Sequence, residues 1–440
     1  MLGQKLELAI ACLFTLISVS LPSNIFAYQY SCPFKLSSSS ALLMDANNGQ
    51  IVYSKNPYHR FQPASLAKVM TLFLVFDALE QDAVNLNDEV VISRNATQKE
   101  GSTMYLREGE KVSLVELVKG IAIVSGNDAC VAIAEGVFGS EQVLVGKMNH
   151  KLRDLNLENS QFQTVDGWPV PGQYTTAYDM VMLTHAYIRE HPETLQYHKL
   201  KEFTHADIIL QNRNGLILQD PSVDGLKTGH VEEAGYHLIA TAEREDRRYI
   251  AVVMGAEKIE TREREAMQLL NFGFNNFITV TLFNKDDILS HLSILKGVKG
   301  EVGLRPSEGG VITIPISLKE FISYELETPN QQEAPIEIDQ KLGQVIISYR
   351  KEIMKRIPLV ANEDIRRAST KMLLMESVIS LVVRQKYMLL VVFILLFVLV
   401  MLYLYIRRLR HRLKKTDPID AEIVKKRLDK ILKSNENEQK

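Results

Sequence analysis

Pro63-Ala64-Ser65-Leu66-Ala67-Lys68-Val69-Met70-Thr71 is the stretch on which the reading of this chain turns. Proline suits the first turn of a helix, and Leu66 to Leu79 is apolar almost all round, so the pattern predicts a buried helix that starts at the serine. Side chains three apart on a helix share one face, which brings Ser65 and Lys68 within contact. Burial disfavours a lysine's charged form and leaves an amine able to take the serine proton. Read this way, a Lys68→Ala protein is expected to fold, since losing a buried charge costs little, yet to leave the Ser65 hydroxyl poorly activated. The same spacing recurs at Ser293-Ile294-Leu295-Lys296, but Gly297 and Gly300 follow and no buried helix supports it.

Two further motifs follow in order. Ser125-Gly126-Asn127 is a polar break between the apolar runs Leu117 to Val124 and Ala129 to Ala134. A hydroxyl and an amide at such a junction can face a cleft while both flanks are buried, Ser125 relaying a proton and Asn127 holding Lys68 and a substrate amide. The other reading is a plain turn with Asn127 capping the next helix. Ser54-Lys55-Asn56 and Ser93-Arg94-Asn95 match the same S-x-N string. Lys227-Thr228-Gly229 precedes a strand-like run, Tyr236 to Thr241, and its glycine allows a substrate backbone to come close. Lys227 and Thr228 offer charge and hydroxyl to a free carboxylate, although period-two alternation sends these two side chains to opposite faces.

The chain has 440 residues, 46% hydrophobic and 24% charged, with a formal net charge of -2, which leaves room for several domains and gives no sign of a nucleic-acid partner. Residues 1–27 read as a signal peptide: Lys5, an apolar run from Leu8 to Val19, Pro22, and Ala27 at the cleavage point, with an uncut membrane anchor as the alternative. Cys32 and Cys130 remain after cleavage, and two free thiols, one of them buried, are expected rather than a single bridge. No C-x-x-C, H-E-x-x-H or phosphate-cradling glycine loop occurs, so neither a metal nor a cofactor is expected.

Strands and helices alternate over residues 38–276, with a hairpin around Asn47-Asn48-Gly49; short alternating stretches broken by Gly and Pro then predict a small antiparallel β domain over 277–361. Residues 362–385 form an amphipathic segment. From Tyr387 to Ile406 no residue is charged, which predicts a transmembrane helix over 386–407. Arg407, Arg408, Arg410, Arg412, Lys414 and Lys415 follow, so the positive-inside rule puts the tail, 408–440, in the cytoplasm and the rest outside, on a single-pass inner-membrane protein.

Together with Met44-Asp45-Ala46-Asn47-Asn48-Gly49, Asn212-Arg213-Asn214-Gly215-Leu216 and Val223-Asp224-Gly225-Leu226-Lys227-Thr228-Gly229-His230, the three motifs resemble those of the D-alanyl-D-alanine carboxypeptidases among the low-molecular-mass penicillin-binding proteins, from about Ala41 to Ala361. The resemblance implies an α/β catalytic domain of the β-lactamase and transpeptidase type followed by a β-rich domain. It implies Ser65 as the acylated nucleophile, Lys68 as its base, Ser125 and Asn127 as the second motif, and Lys227, Thr228 and Gly229 with Arg213 at the carboxylate site. The N–H groups of Ser65 and His230 would form the oxyanion hole. The implied reaction removes the terminal D-alanine from peptidoglycan stem pentapeptides, with β-lactams trapped at the same serine. A D,D-endopeptidase, a β-lactamase or a silent wall-binding scaffold are the alternatives on this fold. Such enzymes commonly end in an amphipathic helix on the membrane, whereas this chain adds a full span.

Overall fold

The computed structural model describes residues 33–413 and 422–430; the expected signal peptide, Cys32 and much of the tail lie outside them. The chain divides into two compact units, one of Met1–Ser290, Leu304–Thr328 and Lys341–Val360, the other of His291–Gly303, Pro329–Gln340 and Ala361–Lys440.

The first unit is organised by an antiparallel sheet. β1 (Ser40–Asp45) and β2 (Gln50–Lys55) form the predicted hairpin. Its turn closes because Asp45 accepts from the N–H of Asn47 through its carboxylate (2.9 Å) and from that of Gly49 through its carbonyl (2.9 Å), with Gly49 at φ +72°. Three long strands complete the sheet: β3 (Val223–Val231), β4 (Gly235–Arg244) and β5 (Arg247–Ala256), in the order β2-β1-β5-β4-β3. Both faces are covered, so the strands read as continuous apolar runs. Leu42, Met44, Ile239, Ile250 and Val252 pack into one core, while Ala41, Leu43, Leu238, Ala240 and Val253 pack into the other.

The first core holds α1 (Lys68–Glu80), α2 (Asn127–Gly136) and α3 (Ala177–Glu190). Every residue of α1 from Lys68 to Phe76 is buried, as expected for a helix without a polar face. The second core holds α4 (Ile259–Asn276), through Ala266, Leu269, Leu270 and Phe274.

Still in this unit, β6 (Phe277–Thr281) pairs antiparallel with β8 (Val311–Pro315), and β9 (Ile322–Glu327), β11 (Lys341–Tyr349) and β12 (Glu352–Ala361) form an antiparallel ladder. The buried carboxylate of Asp45 ties the hairpin to β6 and β8 by accepting from the hydroxyls of Thr279 (2.5 Å) and Thr313 (2.6 Å).

The second unit departs from the all-antiparallel expectation. β7 (Ser290–Leu295) pairs parallel with β10 (Gln331–Glu333). Alternation reports which face a residue takes and not the direction of its partner strand, so the sequence pattern could not separate the two pairings. Ser293 and Lys296 of the second S-x-x-K lie on and just after β7, and Lys296 makes an ion pair with Glu333 at 2.9 Å. The segment read as amphipathic also differs. Ile365 and Ala368 are buried in irregular backbone, with Ile365 bridged to Ile336, and the helix α5 (Thr370–Leu413) starts only after them. It then runs unbroken, and Leu381–His411 within it is long and apolar enough to cross a membrane.

Candidate active site

Ser65 sits on a single 3₁₀ turn, Ala64–Ala67, that leads into α1 at Lys68. The residue before it, Ala64, is held at φ +48°, a left-handed conformation that a side-chain-bearing residue keeps only when its surroundings impose it. The approach to the turn is anchored twice. Phe61 and Thr175 exchange backbone hydrogen bonds of 2.9 and 2.8 Å. Gly255 N–H donates to His237 Nδ1 at 3.1 Å, which leaves the ring proton on Nε2, and that nitrogen donates to the Gln62 carbonyl at 3.2 Å. Burial pushes His237 down to about 4, so the ring is neutral.

Lys68 is fully buried, and its Nζ meets three acceptors: Ser65 Oγ at 2.8 Å, Asn127 Oδ1 at 2.7 Å and the Asp166 carbonyl at 2.7 Å. Burial lowers its pKa from the ordinary 10.5, with the Asp166 and Asp128 carboxylates opposing the effect and Arg213 adding to it. When the amine is neutral its two N–H groups stay on Asn127 and Asp166, neither of which offers a proton in return. The lone pair then faces the Ser65 hydroxyl, so the geometry suits proton removal from that one oxygen.

The second motif follows a π-helical turn, Gly120–Val124. Ser125 ends that turn at φ +67°, ψ +34°, and Gly126 N–H closes it on the Gly120 carbonyl at 3.0 Å. The Ser125 hydroxyl is buried and has no hydrogen-bond partner among the described residues. Asn127 starts α2 and is held on every side. It accepts from Lys68, its backbone N–H donates to Ser102 (2.6 Å), and its amide donates to Glu100. Ser54 and Asn56 of one S-x-N decoy flank Lys55, whose amine is taken by the Leu36 and Ser38 carbonyls; Ser93 of the other caps a short helix through Ala96 N–H.

The third motif lies on β3. Thr228 lines a cleft, whereas Lys227 is buried, donates to the Thr228 carbonyl at 3.1 Å, and has a pKa well below 10.5 through burial and the charge of Lys68. Gly229 permits the strand to run against the nucleophile turn: a Cβ there would lie 3.2 Å from Ala64 Cβ and 3.5 Å from Leu66 N. His230 stacks on Tyr236 with ring centroids 4.0 Å apart. Ser65, Ser125, Asn127, Arg213, Thr228, Gly229 and His230 therefore line one cleft of about 840 Å³, with Lys68 bonded to Ser65 from behind. Arg213 is exposed, and its backbone N–H donates to the Ile123 carbonyl at 3.1 Å.

Two wall elements carry no motif. Arg262 on α4 is buried beside the cleft, its guanidinium donating to the Gly229 (3.3 Å) and His237 (3.4 Å) carbonyls. In the sequence it sits in Thr261-Arg262-Glu263-Arg264-Glu265, which reads as a solvated face. The loop Asp166-Gly167-Trp168 forms the opposite wall, its carbonyl on Lys68 and the Asp166 carboxylate accepting from Trp168 N–H at 3.0 Å. In the sequence this loop, Asp166 to Gly172, stands between the second and third motifs and contains no glutamate, and no motif marks its contact with Lys68. Cys130 is a buried free thiol, pushed up to about 12 by burial.

Residues 27–258 match the family described as D-alanyl-D-alanine carboxypeptidase, and 277–367 match the C-terminal domain of penicillin-binding protein 5. The chain is 39% identical over 333 residues to the D-alanyl-D-alanine carboxypeptidase DacC of Escherichia coli, covering 74% of this chain and 83% of that protein. It is 34% identical to DacF of Bacillus subtilis, covering 75% and 86%. Among solved structures, penicillin-binding protein 5 of Haemophilus influenzae superposes with a TM-score of 0.74 at 34% identity, over 76% of this chain and 99% of that one. A serine and a buried lysine at 2.8 Å, set between an S-x-N turn and a K-T-G strand on a chain matched along both domains, place this protein in the D-alanyl-D-alanine carboxypeptidase family of serine hydrolases.

Proposed function

We propose that Ser65 is the nucleophile that removes the terminal D-alanine from stem pentapeptides of peptidoglycan. The observation that carries this is the Lys68 amine 2.8 Å from Ser65 Oγ with its other two contacts on pure acceptors. Ser65 Oγ attacks the carbonyl of the penultimate D-alanine as its proton passes to Lys68. The developing oxyanion is met by the N–H groups of Ser65 and His230. Lys68, with Ser125 as relay, returns the proton to the departing D-alanine nitrogen, and water then cleaves the serine ester. Thr228 and Arg213 receive the terminal carboxylate, supported by the charge of Lys227 behind them. Asn127 holds Lys68 in position.

A β-lactam carries the same carboxylate and acylates the same serine. Its bulky ester is expected to persist because the loop Asp166 to Gly172 contains no glutamate to hold an activated water over it. Labelled penicillin is expected on Ser65 alone, located by mass analysis of peptides, and Ser65→Ala is expected to take none. Label retained by Ser65→Ala would remove the serine from the mechanism. Pentapeptide should lose D-alanine steadily; faster release of monomers from a cross-linked dimer would favour an endopeptidase.

The same reading takes 1–27 as a cleaved signal, 38–276 as the catalytic domain, 277–361 as the β-rich domain, 386–407 as an inner-membrane span and 408–440 as a cytoplasmic tail. The long exposed apolar helix, with Arg407, Arg408 and Arg410 at its end, supports it. Protease added to intact spheroplasts should remove the Ser65 domain and leave a short membrane stub; protection of the whole chain would refute this topology.

A further inference from the structure

We infer that Glu232 and Glu233 form a receiver for a side-chain ammonium on the substrate residue that precedes the terminal D-alanyl-D-alanine, an inference that rests on the carboxypeptidase reading above. β3 does not end at the K-T-G motif. It runs on through His230 and Val231 into a tight turn in which Ala234 N–H donates to the Val231 carbonyl at 3.2 Å. Glu232 and Glu233 are the two central residues of that turn. Gly235, at φ +75° with room for no Cβ against the Ala256 carbonyl 2.7 Å away, fixes the return into β4. The His230–Tyr236 stack braces the turn from both strands.

Both glutamates line the cleft and are exposed, and no hydrogen bond or ion pair engages either carboxylate among the described residues. The same cleft holds the buried, unpartnered hydroxyl of Ser125, so the carboxylates stand at the mouth of a built site.

Direction and reach follow from the strand. With the substrate carboxylate at Thr228 and the scissile carbonyl at the His230 N–H, the preceding residues continue past Val231. Thr228 to Glu232 is four residues, about 13 Å of strand. Two residues of extended substrate cover about 7 Å, and a long aminoalkyl side chain covers the rest. A terminal amine there meets two carboxylates that make no ion pair among the described residues, in a turn too short to fold away.

The test uses the full-length protein and two peptides, Nα-acetyl-L-lysyl-D-alanyl-D-alanine with its ε-amine free or acetylated, each followed by D-alanine release. At low salt the free amine is expected to raise kcat/KM about fivefold, an exposed charge contact of about 1 kcal/mol, and the ratio should shrink as salt is added. The double variant Glu232→Gln/Glu233→Gln should bring the ratio to about one, and Glu232→Lys/Glu233→Lys should reverse it toward an ε-succinyl peptide. Penicillin titration counts folded sites in every variant, so loss of folding is not mistaken for loss of preference. A ratio of one in the unaltered protein, or a preference that survives the double glutamine change, overturns the inference while leaving the carboxypeptidase reading intact. Release of D-alanine from neither peptide overturns both.

Discussion

Replacing Lys68 by alanine slows acylation by penicillin at least a hundredfold, the range expected for loss of a positioned general base. The side chain sits 2.8 Å from Ser65 Oγ, and among the described residues no other amine or imidazole hydrogen-bonds that oxygen. The variant also loses stability, contrary to what the sequence suggests. A buried lysine read as an isolated charge should be missed little, but Lys68 is the donor for Asn127 Oδ1 and for the Asp166 carbonyl. Each buried acceptor left without a donor costs about 1–3 kcal/mol. Thermal unfolding of Lys68→Ala should therefore come several degrees below that of Ser65→Ala, which removes the nucleophile and keeps both contacts. Equal melting points would show that the lysine holds nothing in place.

The pH dependence follows from the same burial. The folded-state pKa of Lys68 lies below the 10.5 of an ordinary lysine, so between the two values the unfolded chain binds the proton that the folded chain has released. Stability contributed by this group rises with pH through that window, and below it the buried ammonium is a net cost. Acylation moves in the same direction, because only the neutral amine accepts the serine proton. Its rate should climb with pH and level off below 10.5 in the unaltered protein, and the limb should be absent from Lys68→Ala. A limb that persists in the variant assigns it to another group, Lys227 first, since its pKa is lowered as well.

Gly167→Ala is expected to do comparable damage without touching a motif. Gly167 is at φ +80°, and a Cβ on it would lie 1.8 Å from the Ala64 carbonyl oxygen. Both partners are backbone, so no side chain can move aside. Either the loop lifts, which draws the Asp166 carbonyl off Lys68, or the strained Ala64 turn shifts and carries Ser65 with it. A destabilisation of about 3–5 kcal/mol, at the upper end for one substitution, and a drop in Tm of roughly 10 °C are expected, with acylation at least tenfold slower in whatever folds. Near-normal acylation with an unchanged Tm would mean that the loop and the nucleophile turn are not locked together. Gly172, also at positive φ (+82°) in the same loop but with only Gln163 Nε2 at 3.6 Å, is the control, and its alanine variant should lose much less.

The motifs were legible because each depends on local pattern. An unbroken apolar run after Pro63 forces α1 to be buried, so Lys68 must be desolvated wherever the helix lies. A polar interruption between two apolar runs marks their junction, which is where Ser125 and Asn127 line the cleft, both largely buried. A glycine in an extended segment marks a close approach, and Gly229 indeed packs on the Ala64–Leu66 backbone. The charge-free stretch from Tyr387 to Ile406 likewise states its own length. Thr228 lines the cleft and Lys227 beside it is buried, donating to the Thr228 carbonyl.

Residues that act through distance in the chain left no such trace. The Asp166 carbonyl reaches Lys68 across 98 positions, and a main-chain oxygen has the same sequence signature everywhere. Arg262 sits in a run of four charges in five residues, and only the packing of α4 on β4 and β5, which brings its guanidinium to the Gly229 carbonyl of β3, made it a buried group at the cleft. The parallel pairing of β7 with β10 and the start of α5 after a buried Ile365 were settled by partners that periodicity does not name. By itself the sequence determined that α1 is buried along with its lysine and where the charge-free helix runs, because hydrophobic periodicity is a local property. Which carbonyl, guanidinium or glycine meets the Ser65–Lys68 pair was decided by tertiary structure alone, because those contacts arise only when segments far apart in the chain pack together.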